Sequence, residues 1–342
     1  MGSLTFFSEA RLLVITGKGG VGKTTVSGVI ANLAARNGLR ALVVQITAPG
    51  AQEEPEAAHL SRLFGRDEPV DYEGIVLTPG GSVGLRGEVR ARAIRPDAAL
   101  VEYLHLHGMR RLSRRLLSSG ALDVVATAVP GMPDMLVLGK LKQMERAAAA
   151  GQPEAADFII LDAPAAGHAI RFLQSPQGLL DAASGGPIEA QAQEVVDMLG
   201  DPSRCQVLLV TTPEETPVSE TIETAQLLQE KAGTTILGVV VNGLLPVLAL
   251  PPVIEQGELE ELATAAGARL SQEELSSLTA AGQLRRRRQE SQAAQVARLA
   301  VELPLHQLEL PFCFSSELGP NELEQLTDAF ATAVAGVVPA SQ

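Results

Sequence analysis

From Arg11 onward the chain alternates between short apolar runs and longer stretches with helical spacing. Arg11–Thr16 (RLLVIT) is an unbroken apolar run that stops at a glycine-rich turn, the pattern of a strand buried on both faces. Thr24 to Arg36 sets Val29, Leu33 and Arg36 on one side with Ile30 and Ala34 beside them, which predicts a helix, and Gly38 is placed to close it. Ala41–Ile46 (ALVVQI) predicts a second strand, completing one strand–turn–helix–strand unit. The strand signal returns at Phe158–Leu161, Val207–Thr211, Ile236–Val241 and Gln307–Leu310, with helical patterns between. Strands alternating with helices predict an α/β fold, a doubly wound and mainly parallel sheet, within a single domain spanning residues 1–342.

Two stretches break that rhythm. Residues 48–73 are acidic and proline-containing (APGAQEEPEAAH) and predict a loop followed by a short helix. Residues 97–149 are mainly helical, with Met109, Leu112 and Leu116 as an apolar stripe and Arg110, Arg111, Arg114 and Arg115 on the other side. A further helical stretch runs from about Gln177 to Leu199. The expectation is an inserted α-helical subdomain, built from about 97–150 and 177–200, at one edge of the sheet. Gly151–Ala156 predicts a loop before the next strand.

The sharpest motif follows the first strand: Gly17-Lys18-Gly19-Gly20-Val21-Gly22-Lys23-Thr24-Thr25, which satisfies G-x-x-x-x-G-K-[ST]. Each part has a physical reason. Glycines let backbone N–H groups curl round phosphate oxygens, and the helix that follows presents its positive dipole end. Lys23 neutralises β- and γ-phosphate charge, and Thr24 offers a hydroxyl to Mg²⁺. ATP and magnesium are the expected cofactors, with Gly19, Gly20, Val21, Gly22, Lys23, Thr24 and Thr25 as binding residues.

Charge and composition narrow the partners. The 342 residues include 27 Lys and Arg against 40 Asp and Glu, a formal net charge of −13, with only 3% aromatic residues and no tryptophan. A general nucleic-acid binder needs basic charge and stacking rings, so no nucleic-acid partner is expected. The 46% hydrophobic content supports a large aliphatic core. Two distant cysteines, Cys205 and Cys313, exclude a disulfide scaffold and a C-x-x-C metal site within the chain, and both thiols are expected reduced and buried. No apolar run approaches the roughly 18 residues that span a bilayer, and Met1–Ala10 lacks signal-peptide character. A cytoplasmic location without stable membrane insertion is the expectation.

A second motif names a resemblance. Asp162-Ala163-Pro164-Ala165-Ala166-Gly167-His168-Ala169-Ile170-Arg171-Phe172-Leu173 is similar to the D-x-A-P-T-G-H-x-x-R-F-L segment of the ArsA/Get family, the arsenite-pump and tail-anchored-protein-targeting ATPases. Lys18, directly after the first glycine, matches the deviant Walker A loop of that family, and the resemblance spans about Arg11 to Phe330. It implies a nucleotide-sandwiched dimer in which Lys18 reaches the partner's nucleotide. It implies catalytic roles for Lys18, Lys23 and Asp162, with Asp162 contacting magnesium through water, and places Gly167 and His168 in a moving switch. For His168 a hydrogen-bonded structural role reads equally well. Asn242, after Val240-Val241, matches the family's adenine-contacting asparagine, whose amide can both donate to and accept from a purine; alone, it reads as a turn residue. Leu310-Pro311-Phe312 matches the segment that packs against the base.

Three departures matter. Relatives carry an Asp-Pro-Ala segment after the second strand, whose aspartate positions the attacking water; here Ile46-Thr47-Ala48-Pro49-Gly50 has no carboxylate, with Glu53, Glu54 and Glu56 as distant substitutes. Phosphoryl transfer rests on positioning and electrostatics, so hydrolysis is expected to be slow. The interfacial zinc C-x-x-C is absent, so no interfacial zinc is expected and an arsenite role is disfavoured. Ala166 stands where the family has a threonine. The leading expectation is a dimeric ATP-binding switch that handles a protein client with a hydrophobic segment, for which Met109, Met132, Met135, Met144 and Met198 would line a groove. The second is a nucleotide-binding pseudo-ATPase paired with an active paralogue. A ParA-like DNA-partitioning role is opposed by the acidic charge. The basic run Arg285–Arg288, near Glu290, reads as a solvated helix face.

Overall fold

An apolar strand without polar interruption must be covered on both sides, and the sheet built around Arg11–Thr16 supplies that cover. The computed structural model describes residues 10–47, 58–82, 84–106, 131–182, 186–251 and 253–337. In chain order these form β1 (Leu12–Gly17), α1 (Lys23–Arg36), β2 (Ala41–Ile46), α2 (His59–Leu63), β3 (Ile75–Thr78), β4 (Val89–Ile94), α3 (Pro96–Leu106), α4 (Met132–Ala149), β5 (Phe158–Ala165), α5 (Ala166–Ala182), α6 (Pro187–Gly200), β6 (Cys205–Thr211), α7 (Glu215–Leu227), β7 (Ile236–Leu244), α8 (Gln256–Ala265), α9 (Gln272–Glu302), β8 (Gln307–Pro311) and α10 (Pro320–Val337). The eight strands make one sheet in the order β3-β4-β2-β5-β1-β6-β7-β8. Every pairing is parallel except β3 with β4. The α/β, mainly parallel sheet expected from the sequence is the fold observed.

β1 is central, and its side chains divide by the two-residue period of a strand. Leu13 and Ile15 enter one buried cluster with α1, α2 and α10. Leu12 and Val14 enter the other with α4, α5, α6 and α7. The helices of the two inserts therefore carry apolar side chains into the core on one face of the sheet. Met135 and Met198 are buried there and Met144 packs against the cluster. Met135 and Met198 therefore line no exposed groove, which corrects the expectation for those two; Met132 and Met144 are half-buried. Met109, Leu112, Leu116 and the nearby arginines lie outside the described residues.

The first helix also differs from its amphipathic reading. Residues Thr25 through Ala35 are all buried, because α10 covers the face that points away from the sheet. Asn32 donates to Glu324 at 2.9 Å and to Thr327 at 3.1 Å, and Arg36 donates to Asp328 at 2.6 Å. The helix ends as the sequence predicts. Gly38 takes φ +92°, its N–H donates to Ala35 O at 3.0 Å, and Leu39 N–H donates to Ala34 O at 3.1 Å. This is the paired closure that a left-handed residue after a helix allows.

Two strands, β3 and β4, carry no expectation from the sequence. β4 shows a period-2 signal, Val89, Ala91 and Ala93 buried with Arg90 exposed and Arg92 half-buried between them. Its two arginines and its six-residue length blur the apolar run that marks the central strands. The thiols also differ from expectation: both are free and Cys205 is buried, but Cys313 is half-buried.

A carboxylate ties the two halves of the fold together. Glu145 of α4, 1% exposed, accepts from Arg204 at 2.7 Å and from Arg11 at 3.3 Å, joining the helix layer to the starts of β1 and β6. Removing it leaves two guanidinium groups without their counter-charge. Glu145→Ala is expected to lower stability by about 2–3 kcal/mol, at the low end for a broken buried pair because both arginines keep some water. A fall in the urea midpoint at unchanged m-value checks it.

Candidate functional site

The carboxyl ends of β1, β5, β7 and β8 converge on one edge of the sheet, where open α/β sheets bind ligands. β1 runs into the loop at Gly17, and α1 begins at Lys23. Gly20 and Gly22 take φ +82° and +90°, in the left-handed region that only glycine adopts freely. A Cβ on Gly19 or Gly20 would meet nothing within 4 Å, so the loop's inner turn is open, whereas a Cβ on Gly22 would lie 2.3 Å from Asn242 Nδ2. The sequence places glycines where backbone must bend and where another element presses close.

Four side chains meet beneath the loop. Thr24 Oγ1 donates to Asp162 Oδ2 at 2.7 Å, and Gln45 Nε2 donates to the same oxygen at 3.2 Å. Burial pushes the Asp162 carboxyl above the ordinary carboxylate range, and the Thr24 and Gln45 donors and the Lys23 cation pull it back. Burial likewise lowers the Lys23 ammonium, against the raising effect of Asp162. Lys23 Nζ donates to Lys18 O at 3.2 Å, spanning the loop. β5 carries Asp162 in register with Ile15 and Gln45, which is how the strand lying between β1 and β2 sets its carboxylate under the loop. Gln45 was missed by motif reading. Its signal is present all the same, since it is the single polar residue in ALVVQI.

His59, first residue of α2, was also missed. Its Nε2 lies 3.4 Å from Thr25 Oγ1, and burial with the nearby Arg62 charge lowers its pKa. The segment Ala48-Pro49-Gly50 and the acidic residues Glu53, Glu54 and Glu56 precede it and lie outside the described residues.

Lys18 forms an ion pair with Glu220 of α7 in the same chain. Nothing in the sequence singles out Glu220; the tertiary packing of α7 beside the loop brings it there. Asn242, at the end of β7, donates from Nδ2 to Val21 O at 2.9 Å. One of the two N–H donors of its amide is thus used on the loop. Pro311 ends β8 opposite Leu244. The Phe312 N–H donates to Leu244 O at 2.8 Å. Its ring is 45% exposed and meets Phe314 edge to face at 4.9 Å. A Cβ on Gly243 would sit 3.9 Å from the Phe312 ring, so Asn242 and the Pro311–Phe312 segment are brought side by side beyond the loop. Gly167 and His168 open α5 and are exposed. His168 makes no side-chain hydrogen bond among the described residues. Ala166 is buried.

A glycine-rich loop between a central parallel strand and a helix, with a half-buried aspartate on the neighbouring strand bonded to the threonine that follows the loop, defines a P-loop nucleotide-binding α/β protein. Residues 12–246 match the CobQ/CobB/MinD/ParA nucleotide binding domain, and the chain belongs to that family. It is 32% identical over 240 residues to the ATPase BagA of Mycobacterium tuberculosis, an alignment covering 70% of this chain and 66% of the relative. It is 32% identical over 251 residues to a putative arsenical pump-driving ATPase of Halobacterium salinarum, covering 70% of this chain and 36% of that protein. It is 29% identical over 189 residues to the ATPase GET3 of Kluyveromyces lactis, covering 52% and 49%. The chain thus spans just under two thirds of the mycobacterial relative's length and about a third of the halobacterial one's. Relatives bearing these names are what the ArsA/Get resemblance leads one to expect. Among the described residues no helix is long and apolar enough to cross a membrane.

Proposed function

We propose that the chain is an ATP-binding switch of the ArsA/Get type that works as a homodimer and couples nucleotide state to a partner protein. The observation that carries this reading is the Thr24–Asp162 hydrogen bond beneath an open glycine loop. It pairs the hydroxyl suited to magnesium with the carboxylate suited to a magnesium-bound water. Gly19, Gly20, Val21 and Gly22 offer backbone N–H groups to phosphate oxygens, Lys23 supplies the cation, and Thr25 a further hydroxyl. Magnesium, when bound, neutralises phosphate charge. Asn242 shapes the loop from below, and the exposed Phe312 face offers apolar cover for a base. For Lys18 to reach a partner's nucleotide, its ion pair with Glu220 must open. A hydrophobic client stays an implication of the family, since two of the five methionines expected to greet it, Met135 and Met198, are in the core.

Hydrolysis is expected to be slow, because no carboxylate follows β2 and Ala166 offers no hydroxyl. The same absence supports the second reading, a pseudo-ATPase beside an active paralogue. Steady-state phosphate release with Mg·ATP, compared with Lys23→Ala, separates them. Turnover clearly above the variant supports the slow switch, while turnover equal to it, with ATP still bound, supports the pseudo-enzyme. Failure to bind ATP at all defeats both.

A further inference from the structure

The long helix α9 runs for 31 residues, from a capping box at Ser271 and Glu274 to Glu302, yet its only buried residues are Leu275 and Leu299. Its inner side holds the segment after β7: Ile254 packs on Gly282, Gln289 Nε2 donates to Leu248 O at 3.2 Å, and Leu245 N–H donates to Gln292 at 3.1 Å. Arg285 faces the same way, donating to Pro246 O at 2.7 Å and lying 5.8 Å from the Phe314 ring, so part of the basic run is not a solvated face.

The outer side is different. Glu273, Ser277, Ala280, Leu284, Arg287 and Ser291 follow the 4-3-4-3-4 spacing of one helix stripe, and all are exposed. Leu284 is 56% exposed. Of the other charges on the helix, Arg286 pairs with Glu290 and Arg298 with Glu302, while Arg288 is exposed, off the stripe, and makes no ion pair among the described residues. Glu273 and Arg287 make no ion pair among the described residues. They sit at equal distance on either side of Ala280, one acidic and one basic. A surface of this kind is complementary to itself when turned end for end, as a two-fold interface requires.

We infer that the outer stripe of α9 is a contact between two copies of this chain, packed antiparallel with Ala280 at the two-fold axis. Glu273 of each copy then faces Arg287 of the other, twice by symmetry. The small Ala280 side chain lets the two backbones approach closely, within the roughly 8–10 Å of packed helices. Leu284 covers the Ser276–Ser277 turn of the opposite helix and leaves water. The inference deepens the homodimer reading above and rests on it.

The test uses the full chain. Sedimentation velocity, with and without Mg·ATP, is expected to show a dimer whose dissociation constant rises about tenfold or more in Glu273→Arg and in Arg287→Glu. It is expected to return to within a few fold of the parent in the double reversal, because the pair is restored in both places. Ala280→Cys is expected to give a covalent dimer under mild oxidation, whereas the parent, with Cys205 buried and Cys313 half-buried, gives none. A chain that is monomeric under both conditions overturns the inference. So do single reversals that dimerise like the parent, or a double reversal that stays dissociated. Mg·ATP-induced thermal stabilisation, followed in the same variants, keeps the two readings apart: nucleotide binding that persists while the charge swap does nothing leaves the loop's function standing and removes only the α9 contact.

Discussion

Lys23→Ala is expected to remove about half or more of the thermal stabilisation that Mg·ATP confers on this chain. The Lys23 ammonium is the cation that follows the glycine turn at the start of α1, and among the described residues it has one hydrogen bond, to Lys18 O at 3.2 Å. Burial works against its charge, and Asp162 works for it. A phosphate would complete its set of partners. Charge-assisted hydrogen bonds are worth about 1.5–3 kcal/mol each, so losing this donor should weaken ATP binding roughly 10- to 150-fold. At an ATP concentration about 100 times the parent dissociation constant, the parent gains about 2.7 kcal/mol, and the variant keeps only about 0.3–1.4 kcal/mol of it. Without nucleotide the variant should be as stable as the parent or slightly more so, since a partly buried cation has gone. A thermal-shift series against Mg·ATP, supported by titration calorimetry, makes the measurement. An unchanged shift would remove Lys23 from the binding site.

Gly17→Ala is expected to damage the fold itself. A Cβ at Gly17 would lie 2.0 Å from the Val210 carbonyl oxygen and 3.0 Å from its carbon. Both atoms belong to the backbone of β6, which pairs with β1 in register at this residue. No side chain can swing away. One of the two central strands must shift, and each is held on its far side by another strand, β5 or β7. Overpacking a core commonly costs 1–3 kcal/mol, and a backbone-to-backbone clash belongs at or above the top of that range, about 3 kcal/mol or more. The control is two residues away. Gly19→Ala meets nothing within 4 Å and should stay within about 0.5 kcal/mol of the parent. Chemical denaturation of the three proteins decides it; equal midpoints for Gly17→Ala and Gly19→Ala would sink the argument.

Legibility followed the strength of local signals. Central strands such as Leu12–Gly17 and Cys205–Thr211 are buried on both faces, so their apolar runs are visible without any structure. β4 is not, because its outward positions are arginines held by local partners. Arg92 stacks over the Tyr72 ring at 4.6 Å, and Arg90 lies 3.7 Å from Glu88. The helix α1 shows why periodicity alone falls short. Its outer face looks permissive for solvent in sequence, yet α10 arrives from almost 300 residues further on and buries it. Methionines misled for a similar reason. Their adaptability suits a client groove or a core equally well, and only packing distinguishes the two for Met135 and Met198.

The sequence by itself determined the phosphate loop, the aspartate that follows the apolar strand Phe158–Leu161, and the mainly parallel α/β sheet that holds them. Those features depend on short-range chemistry: glycine's freedom at positive φ, the lysine and threonine at the helix start, and unbroken apolar runs. Tertiary structure alone decided which distant groups complete the site. Gln45 and Thr24 converge on one oxygen of Asp162 because β2, β1 and β5 are neighbours in register. Glu220 holds Lys18, His59 approaches Thr25, and Asn242 props the loop at Val21. Such contacts join residues far apart in the chain through the order of strands in the sheet, and that order is an energy balance over the whole core that no local pattern encodes.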